Sequence, residues 1–193
     1  MCELKVVLDQ DDSFFIILLW GGVVWRRVHK QLFFKKLKSV SFARSLDEAK
    51  LFFVEIEEKV AKSFAVNSLS KRALLTSELV QKMQEKGISD ETIVKTITFC
   101  KKIGALEDLQ ILENRIQKEI RRGHGLMYAK AKWQRAVLQE PVEWNSLEKR
   151  NLEKEAALQL IQKKGKKKDL FLFLLRRGFR SEIIKEVLNA ELE

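Results

Sequence analysis

Positively charged side chains concentrate near the carboxyl end of the chain, where they could contact nucleic-acid phosphates or an acidic protein surface. These residues are Lys163, Lys164, Lys166, Lys167, Lys168, Arg176, Arg177 and Arg180. Five lysines around the single Gly165 exceed what solubility requires, so we predict a contact surface here. A solvated helix end and loop in a basic protein is the alternative interpretation. Arg177 precedes a glycine and also suits a helix carboxyl end, where a cation stabilises the helix dipole.

Arg121 and Arg122 form a second basic point, directly before the glycine turn Gly123-His124-Gly125. Capping of a helix end and contact with a partner explain this pair equally well.

Metal binding and catalysis lack a supporting arrangement in the sequence. His29 and His124 are far apart and have no Cys or carboxylate at ligand spacing. Phosphate-binding loops, dinucleotide turns and nucleophile elbows are absent. Acidic pairs occur at helix starts, where the helix dipole explains them. We therefore predict a protein that is not an enzyme and has no cofactor.

Composition favours a largely helical protein. The 193 residues include 8 glycines and one proline, and 46 % are hydrophobic, which excludes wholesale disorder. The formal net charge is +10, with 37 Lys and Arg against 27 Asp and Glu. Two cysteines cannot build a disulfide framework, and the uncharged run at residues 13–25 is too short to span a bilayer. We expect a cytoplasmic protein without membrane contact.

The first 45 residues predict a small antiparallel β unit. Stretches rich in β-branched and aromatic residues lie at residues 6–8, 14–20 and 23–28, with Gly21-Gly22 between the last two. Two consecutive glycines favour a tight hairpin because both central residues need positive φ. These stretches are apolar on both strand faces. Cover by the following helices is the favoured explanation, and a partner surface on one face is the alternative.

A capping box, Ser45-Leu46-Asp47-Glu48, predicts the start of a helix that continues to about Leu69. Further along, Leu79–Ile97 aligns without gaps with Leu170–Leu188, at an offset of 91 residues. Each copy contains a helix, a basic residue, a glycine, one apolar residue and a second helix with an acidic start. The glycine suits the left-handed position that ends a helix, so each copy predicts a tight helix–turn–helix.

A third, eroded copy fits at Tyr128–Trp144, with Val137 where the turn glycine would be. The spacing between copies is near the length of a helical repeat. We therefore predict a mainly α fold of three tandem three-helix, helix–turn–helix-like repeats in an elongated array, preceded by the small antiparallel β unit. The predicted boundaries are a β-rich extension at 1–45, a capping helix with the first repeat at 46–106, the diverged second repeat at 107–152 and the third repeat at 153–193.

Four segments in this order resemble the RecX family of bacterial regulators of the RecA recombinase. They are AVNSLSKRALLTSEL at 65–79, IGALED at 103–108, RRGHG at 121–125 and LLRRGF at 174–179. The likeness extends from about residue 5 to residue 190. Departures concentrate in the middle: Leu126 replaces the usual proline, Val137 the turn glycine, Leu75 a serine and Arg115 an aromatic residue.

The resemblance implies a monomeric regulator that binds the RecA filament on single-stranded DNA and modulates recombination, ATP hydrolysis and coprotease activity. It would thereby regulate DNA repair and the SOS response. The basic residues named above would contact the filament, and weak direct contact with DNA is compatible with the charge.

A helical module that binds DNA without a protein partner is the alternative function. The charge and the short helix–turn–helix units favour it. The acidic start of each second helix opposes it, because recognition helices normally present hydrogen-bond donors at that end.

Overall fold

Helices dominate the structure, a computed structural model that describes residues 4–37, 40, 43–137, 142–164 and 169–190. The chain divides into two units, Met1–Glu107 and Asp108–Glu193. The first unit contains a three-stranded antiparallel sheet followed by helices, and the described part of the second unit is helical. The predicted mainly α fold with a small amino-terminal β unit is confirmed.

The sheet consists of β1 (Leu4–Leu8), β2 (Phe15–Trp20) and β3 (Val23–His29), arranged in that order. Gly21 and Gly22 connect β2 to β3 with φ angles of 57° and 85°. Both angles are positive, as a two-residue hairpin requires, so the predicted hairpin is confirmed.

The helices of the first unit cover one face of this sheet. Ile16, Leu18 and Val28 are fully buried against them. On the opposite face, Val7 and Val24 remain exposed among the described residues. The expectation that the following helices would cover the apolar strands therefore holds for one face.

The first unit contains α1 (Lys30–Phe33), a short 3₁₀ turn (Phe34–Lys36), α2 (Leu46–Lys71), α3 (Thr76–Gln84) and α4 (Asp90–Lys102). Ser45 caps α2 by accepting a hydrogen bond from the backbone N–H of Glu48 at 3.2 Å. The Glu48 carboxylate accepts from the N–H of Arg44 at 2.7 Å, one residue earlier than in the predicted capping box.

The second unit contains α5 (Asp108–Arg121), α6 (Leu126–Val137), α7 (Leu147–Lys164), α8 (Leu170–Arg176) and α9 (Ser181–Ala190). Helix α7 is continuous through residues 152 and 153, where the sequence placed a repeat boundary. Val137, the predicted substitute for a turn glycine, is the last residue of α6, and residues 138–141 lie outside the described residues.

The two copies offset by 91 residues form the same turn. The N–H of Ile88 donates to the carbonyl of Met83 at 3.2 Å, and the N–H of Phe179 donates to that of Leu174, also at 3.2 Å. The glycine between them has φ of 71° in the first copy and 80° in the second. Ile88 and Phe179 are both buried, so the apolar residue after each glycine fills the corner between two helices.

Candidate partner interface

The structure places the predicted basic residues of the second unit at the carboxyl ends of three helices. Arg121 ends α5, Lys163 lies in the last turn of α7 and Arg176 ends α8. All three side chains are exposed. Lys164 ends α7, and Lys166, Lys167 and Lys168 lie outside the described residues.

These helix ends meet around Gly123. A Cβ atom on Gly123 would lie 3.2 Å from the Leu160 side chain of α7 and 3.3 Å from Nη1 of Arg177. Leu160 precedes Lys163 by three residues, which is nearly one helical turn. We call this surface the basic end of the second unit. It comprises Arg121, Arg122, Lys163, Arg176 and Arg177.

Arg177 both contributes a positive charge to the basic end and stabilises its structure. Its Nη1 donates to the carbonyl oxygen of Gly123 at 3.0 Å, which satisfies a free carbonyl after α5. Its guanidinium also lies 5.1 Å from the centre of the Phe173 ring. The side chain therefore holds the α5 and α8 ends together, in addition to any contact with a partner.

Glu119 partly offsets the charge of Arg122. The Glu119 carboxylate is nearly buried and lies 2.8 Å from Nζ of Lys132 and 3.3 Å from Nη1 of Arg122. Burial acts to raise the pKa of Glu119, but the Lys132 hydrogen bond and the charges of Lys132, Arg122 and His124 outweigh it and lower the pKa. Glu119 is therefore ionised at neutral pH and offsets part of the positive charge of the basic end.

Arg180 has a different environment from the other predicted contact residues. Its Nε donates to Glu153 at 2.8 Å, and its backbone N–H donates to the same carboxylate at 3.1 Å. Glu153 is fully buried and also accepts from the N–H of Leu126 at 3.0 Å. Because the Arg180 side chain is only 15 % exposed, we leave it out of the basic end.

The first unit repeats this buried carboxylate, which sequence reasoning missed. Glu57 of α2 accepts from the N–H of Ser89 at 3.0 Å, and Ser89 corresponds to Arg180 at the 91-residue offset. Glu57 also accepts from Arg26 at 2.9 Å and from the Thr92 hydroxyl at 2.8 Å. In both units a buried glutamate from the preceding long helix satisfies a backbone donor at the start of the last helix.

An aromatic pair adjoins the basic end. The rings of His124 and Tyr128 stack with centroids 4.2 Å apart and an interplanar angle of 17°. Tyr128 is 38 % exposed, and Nζ of Lys132 lies 5.8 Å from its ring. The spacing of four residues at a helix start could have revealed this pair in the sequence.

Within the described ranges, no group of three His, Cys, Asp or Glu side chains is placed to hold a metal ion. Among the same residues, no helix combines the length and the apolar character needed to cross a membrane. Cys100 is buried in α4, and burial raises the pKa of its thiol.

Comparison with known proteins agrees with this architecture. Residues 61–100 match the family described as RecX, first three-helix domain. The regulatory protein RecX of Vibrio vulnificus (strain CMCP6) is 28 % identical over 141 residues, covering 67 % of this chain and 92 % of that protein. RecX of Clostridium botulinum (strain Alaska E43 / Type E3) is 24 % identical and covers 97 % of this chain and 89 % of its own. Residues 61–100 thus match the first three-helix domain of RecX, and over most of its length the chain is similar to proteins named regulatory protein RecX.

Two solved RecX structures share the fold. The crystal structure of a regulatory protein RecX superposes with a TM-score of 0.59 and 11 % identity, over 98 % of this chain and all of that one. RecX from Lactobacillus salivarius superposes with a TM-score of 0.56 and 16 % identity, over 69 % of this chain and 96 % of its own. The relatives that the chain resembles in sequence are named regulatory protein RecX.

Proposed function

We propose that this protein binds a RecA-type filament on single-stranded DNA through the basic end of its second unit and limits the activity of the filament. The similarity to proteins named regulatory protein RecX supports the regulatory role. The observation that carries the contact is the position of five basic residues at or next to the ends of α5, α7 and α8, where Leu160 of α7 and Arg177 after α8 adjoin Gly123. A filament built on DNA presents phosphates and acidic protein surface, and both attract such a cluster.

Three of these side chains are available for a partner. Arg121, Lys163 and Arg176 are exposed, and no carboxylate of the described residues forms an ion pair with them. Arg122 already forms an ion pair with Glu119, and Arg177 already donates a hydrogen bond to the Gly123 carbonyl. Partner contact would therefore draw mainly on the exposed ends of α5, α7 and α8.

Sequence-specific DNA recognition by the helix–turn–helix units has less support. A recognition helix reads bases with donors near its amino end. Here the amino ends of α4 and α9 direct backbone N–H groups onto the buried carboxylates Glu57 and Glu153. The exposed residues that follow, Glu91 and Glu182, are acidic and would repel phosphates.

DNA-dependent ATP hydrolysis by RecA tests the proposed function. The full chain is added below the RecA concentration, and we expect hydrolysis to fall at one molecule per many RecA subunits. Unchanged hydrolysis, with the protein folded by circular dichroism and RecA from the same organism, would contradict filament regulation.

A matched pair of variants tests the contact surface. The triple substitution Arg121→Gln, Lys163→Gln and Arg176→Gln removes three charges from the basic end. The control, Lys59→Gln, Lys101→Gln and Lys102→Gln, removes three exposed charges from α2 and α4. At roughly 0.5 kcal/mol for each exposed charge contact, the first triple should raise the half-inhibitory concentration about tenfold. If the two triple variants inhibited RecA equally, this result would contradict contact through the basic end.

A further inference from the structure

A cleft in the first unit is lined by aromatic and basic side chains. It measures about 360 Å³ and lies between the loop that precedes β2 and the helical turn that follows β3. The residues that line it are Ser13, Phe14, Lys30, Gln31, Phe34 and Lys35. Its walls are thus two phenylalanine rings and two lysine side chains, with a hydroxyl and an amide between them.

The backbone fixes the two walls relative to each other. The N–H of Lys30 donates to the carbonyl of Phe14 at 2.8 Å, which joins the loop to α1. Phe33 is fully buried and stacks on Phe53 with centroids 5.7 Å apart, so α1 is anchored to the core. Since Phe33 points inward, the next residue, Phe34, lies on the outer side of the turn and is 55 % exposed.

The rings of Phe14 and Phe34 are both exposed, and neither belongs to the buried core. Phe14 is 61 % exposed, and the ring stacks on His29 at a centroid distance of 6.4 Å and an angle of 8°. The exposed part of each ring can accept another flat ring, since aromatic groups prefer offset stacking. Two exposed phenylalanines beside one cleft differ from singly scattered apolar residues, which need no explanation.

The lysines at this cleft have no anionic partner within the part of the chain that the structure describes. This holds for Lys30, Lys35 and the adjacent Lys36. The nearby acidic loop does not supply one, because Asp9 and Asp12 are ion-paired with Arg27. The Asp12 carboxylate also accepts from the N–H of Phe14 at 2.9 Å, but it forms no ion pair with the cleft lysines. Their ammonium groups can therefore attract an anion such as phosphate.

We infer that this cleft binds single-stranded DNA, with bases stacked on Phe14 and Phe34 and backbone phosphates held by Lys30 and Lys35. Aromatic platforms beside lysines are the chemistry by which proteins bind single strands without sequence preference. The cleft volume lies near the lower end of ligand pockets, about 300 Å³ upward, which suits one or two bases. Duplex DNA suits it less, because its bases are stacked on one another and cannot lie on the rings.

The inference is independent of RecA binding, and so is its test. Fluorescence anisotropy of a labelled oligo-dT strand is measured with the full chain alone. We expect Phe14→Ala to weaken binding about tenfold, while Val23→Ala, an apolar truncation at the exposed β2–β3 turn, leaves it unchanged. Phe34→Ala is a second test of the same wall, and circular dichroism confirms that each variant is folded.

Charge and stacking are separated by two further variants. The double substitution Lys30→Gln and Lys35→Gln should reduce the slope of log affinity against log salt by about 1.4, whereas Lys101→Gln with Lys102→Gln leaves that slope unchanged. Phe14→Trp should retain binding and add tryptophan emission that the strand quenches beyond the quenching seen in the unmodified chain.

Three results would overturn the inference. One is equal affinity of the Phe14→Ala and Val23→Ala proteins for the strand. Another is binding of a duplex of the same length as tightly as the single strand. The third is displacement of the strand by dTMP when both are present at the same concentration of nucleotide. That result would show that the cleft binds a free nucleotide rather than a strand.

Discussion

The backbone N–H of Gly125 donates to the carbonyl oxygen of Arg177 at 2.9 Å. The same relationship recurs in the first unit, where the N–H of His29 donates to the carbonyl of Lys86 at 3.3 Å. Lys86 and Arg177 occupy equivalent positions at the 91-residue offset. In both units, the residue just before a helix (His29 before α1, Gly125 before α6) donates to the residue just before a turn glycine. Each glycine turn therefore also packs against another segment of the chain.

Substitution of Gly125 by alanine should strongly destabilise the second unit. A Cβ atom there would lie 2.1 Å from the carbonyl carbon and oxygen of Gly178, which are backbone atoms that cannot rotate away. We expect Gly125→Ala to lower the free energy of unfolding by about 3 kcal/mol, at the upper end of overpacking effects. Urea denaturation followed by circular dichroism measures this loss.

Gly104→Ala is the matched control for that substitution. Gly104 has φ of 67°, and its nearest neighbour is a carboxylate oxygen of Glu107 at 3.8 Å, an ordinary contact. Alanine there meets backbone strain without a clash, at a cost of about 1 kcal/mol. Equal losses for the two variants would show that the close approach of Gly125 to Gly178 is not maintained in solution.

The buried carboxylate Glu153 should be a second point of high sensitivity. Glu153→Gln keeps the size of the side chain but removes the buried anion of Arg180, which leaves its guanidinium only the exposed carboxylate of Glu182, 3.4 Å from Nη1. We expect a loss of about 3 kcal/mol in the free energy of unfolding, as for other broken buried pairs. Glu186→Gln breaks exposed pairs with Arg150 and Lys154 and should leave stability unchanged. A similar response to both substitutions in urea would contradict the structural role of Glu153.

Local signals account for the parts of the fold that the sequence predicted. Gly21-Gly22 encodes a hairpin because glycine accepts positive φ at both positions, and Ser45 encodes a helix start because its hydroxyl is three residues from an orphan N–H. The 91-residue repeat is visible because each turn needs a glycine followed by an apolar residue. Such features depend on neighbours within a few residues.

Glu57 and Glu153 escaped prediction because their partners are distant in sequence. Each occupies a helix where an acidic residue is normally taken as solvated. They are separated by 96 residues rather than 91, so the repeat alignment does not superpose them. The donors that hold them, Ser89 and Arg180, lie 32 and 27 residues further along the chain. Tertiary packing alone brings these groups together.

The candidate interface shows the same limit. The charge pattern singled out Arg121, Lys163 and Arg176, which are exposed, and their contact with a partner stays a prediction. It did not distinguish them from Arg180, whose guanidinium pairs with Glu153 in the interior. The Phe14 and Phe34 cleft was also missed, because these residues lie in separate segments that β2 and β3 bring together.

The stability of the first unit should fall as the pH drops through the ordinary titration range of histidine. Burial and the charge of Lys86, whose Nζ lies 3.1 Å from Nε2, lower the pKa of His29, and Asp12 opposes them weakly. Phe14 and Phe15 complete the surroundings of the ring. Near pH 6.5 the unfolded chain binds a proton that the folded chain excludes, so stability present above this pH is lost below it.

Thermal unfolding from about pH 7.5 to about pH 5.5 measures this dependence. His29→Gln keeps an acceptor for Lys86 and should flatten the profile across that window. Carboxylates whose pKa is lowered, such as Asp9 and Glu119, act at lower pH because their ordinary values are 3.8 and 4.5. An unchanged profile in the His29→Gln protein would assign the dependence to another group.

The lysines between α7 and α8 should contribute to filament binding. Lys166, Lys167 and Lys168 lie outside the described residues, but they follow Lys163 and Lys164 at the end of α7 in the sequence. Changing all three to Glu replaces three positive charges with three negative charges shortly after the end of α7 in the sequence. Because like charges across an interface oppose binding strongly, we expect affinity for the RecA filament to fall about tenfold or more.

Anisotropy of the labelled protein, titrated with RecA assembled on single-stranded DNA, measures that loss at low and moderate salt. The substitutions Lys59→Glu, Lys101→Glu and Lys102→Glu change the net charge equally on the first unit and control for long-range attraction. If the two triple variants bind alike, and both retain their helical spectrum, the affinity reflects total charge. A selective loss in the first variant would instead place the contact at residues 166–168.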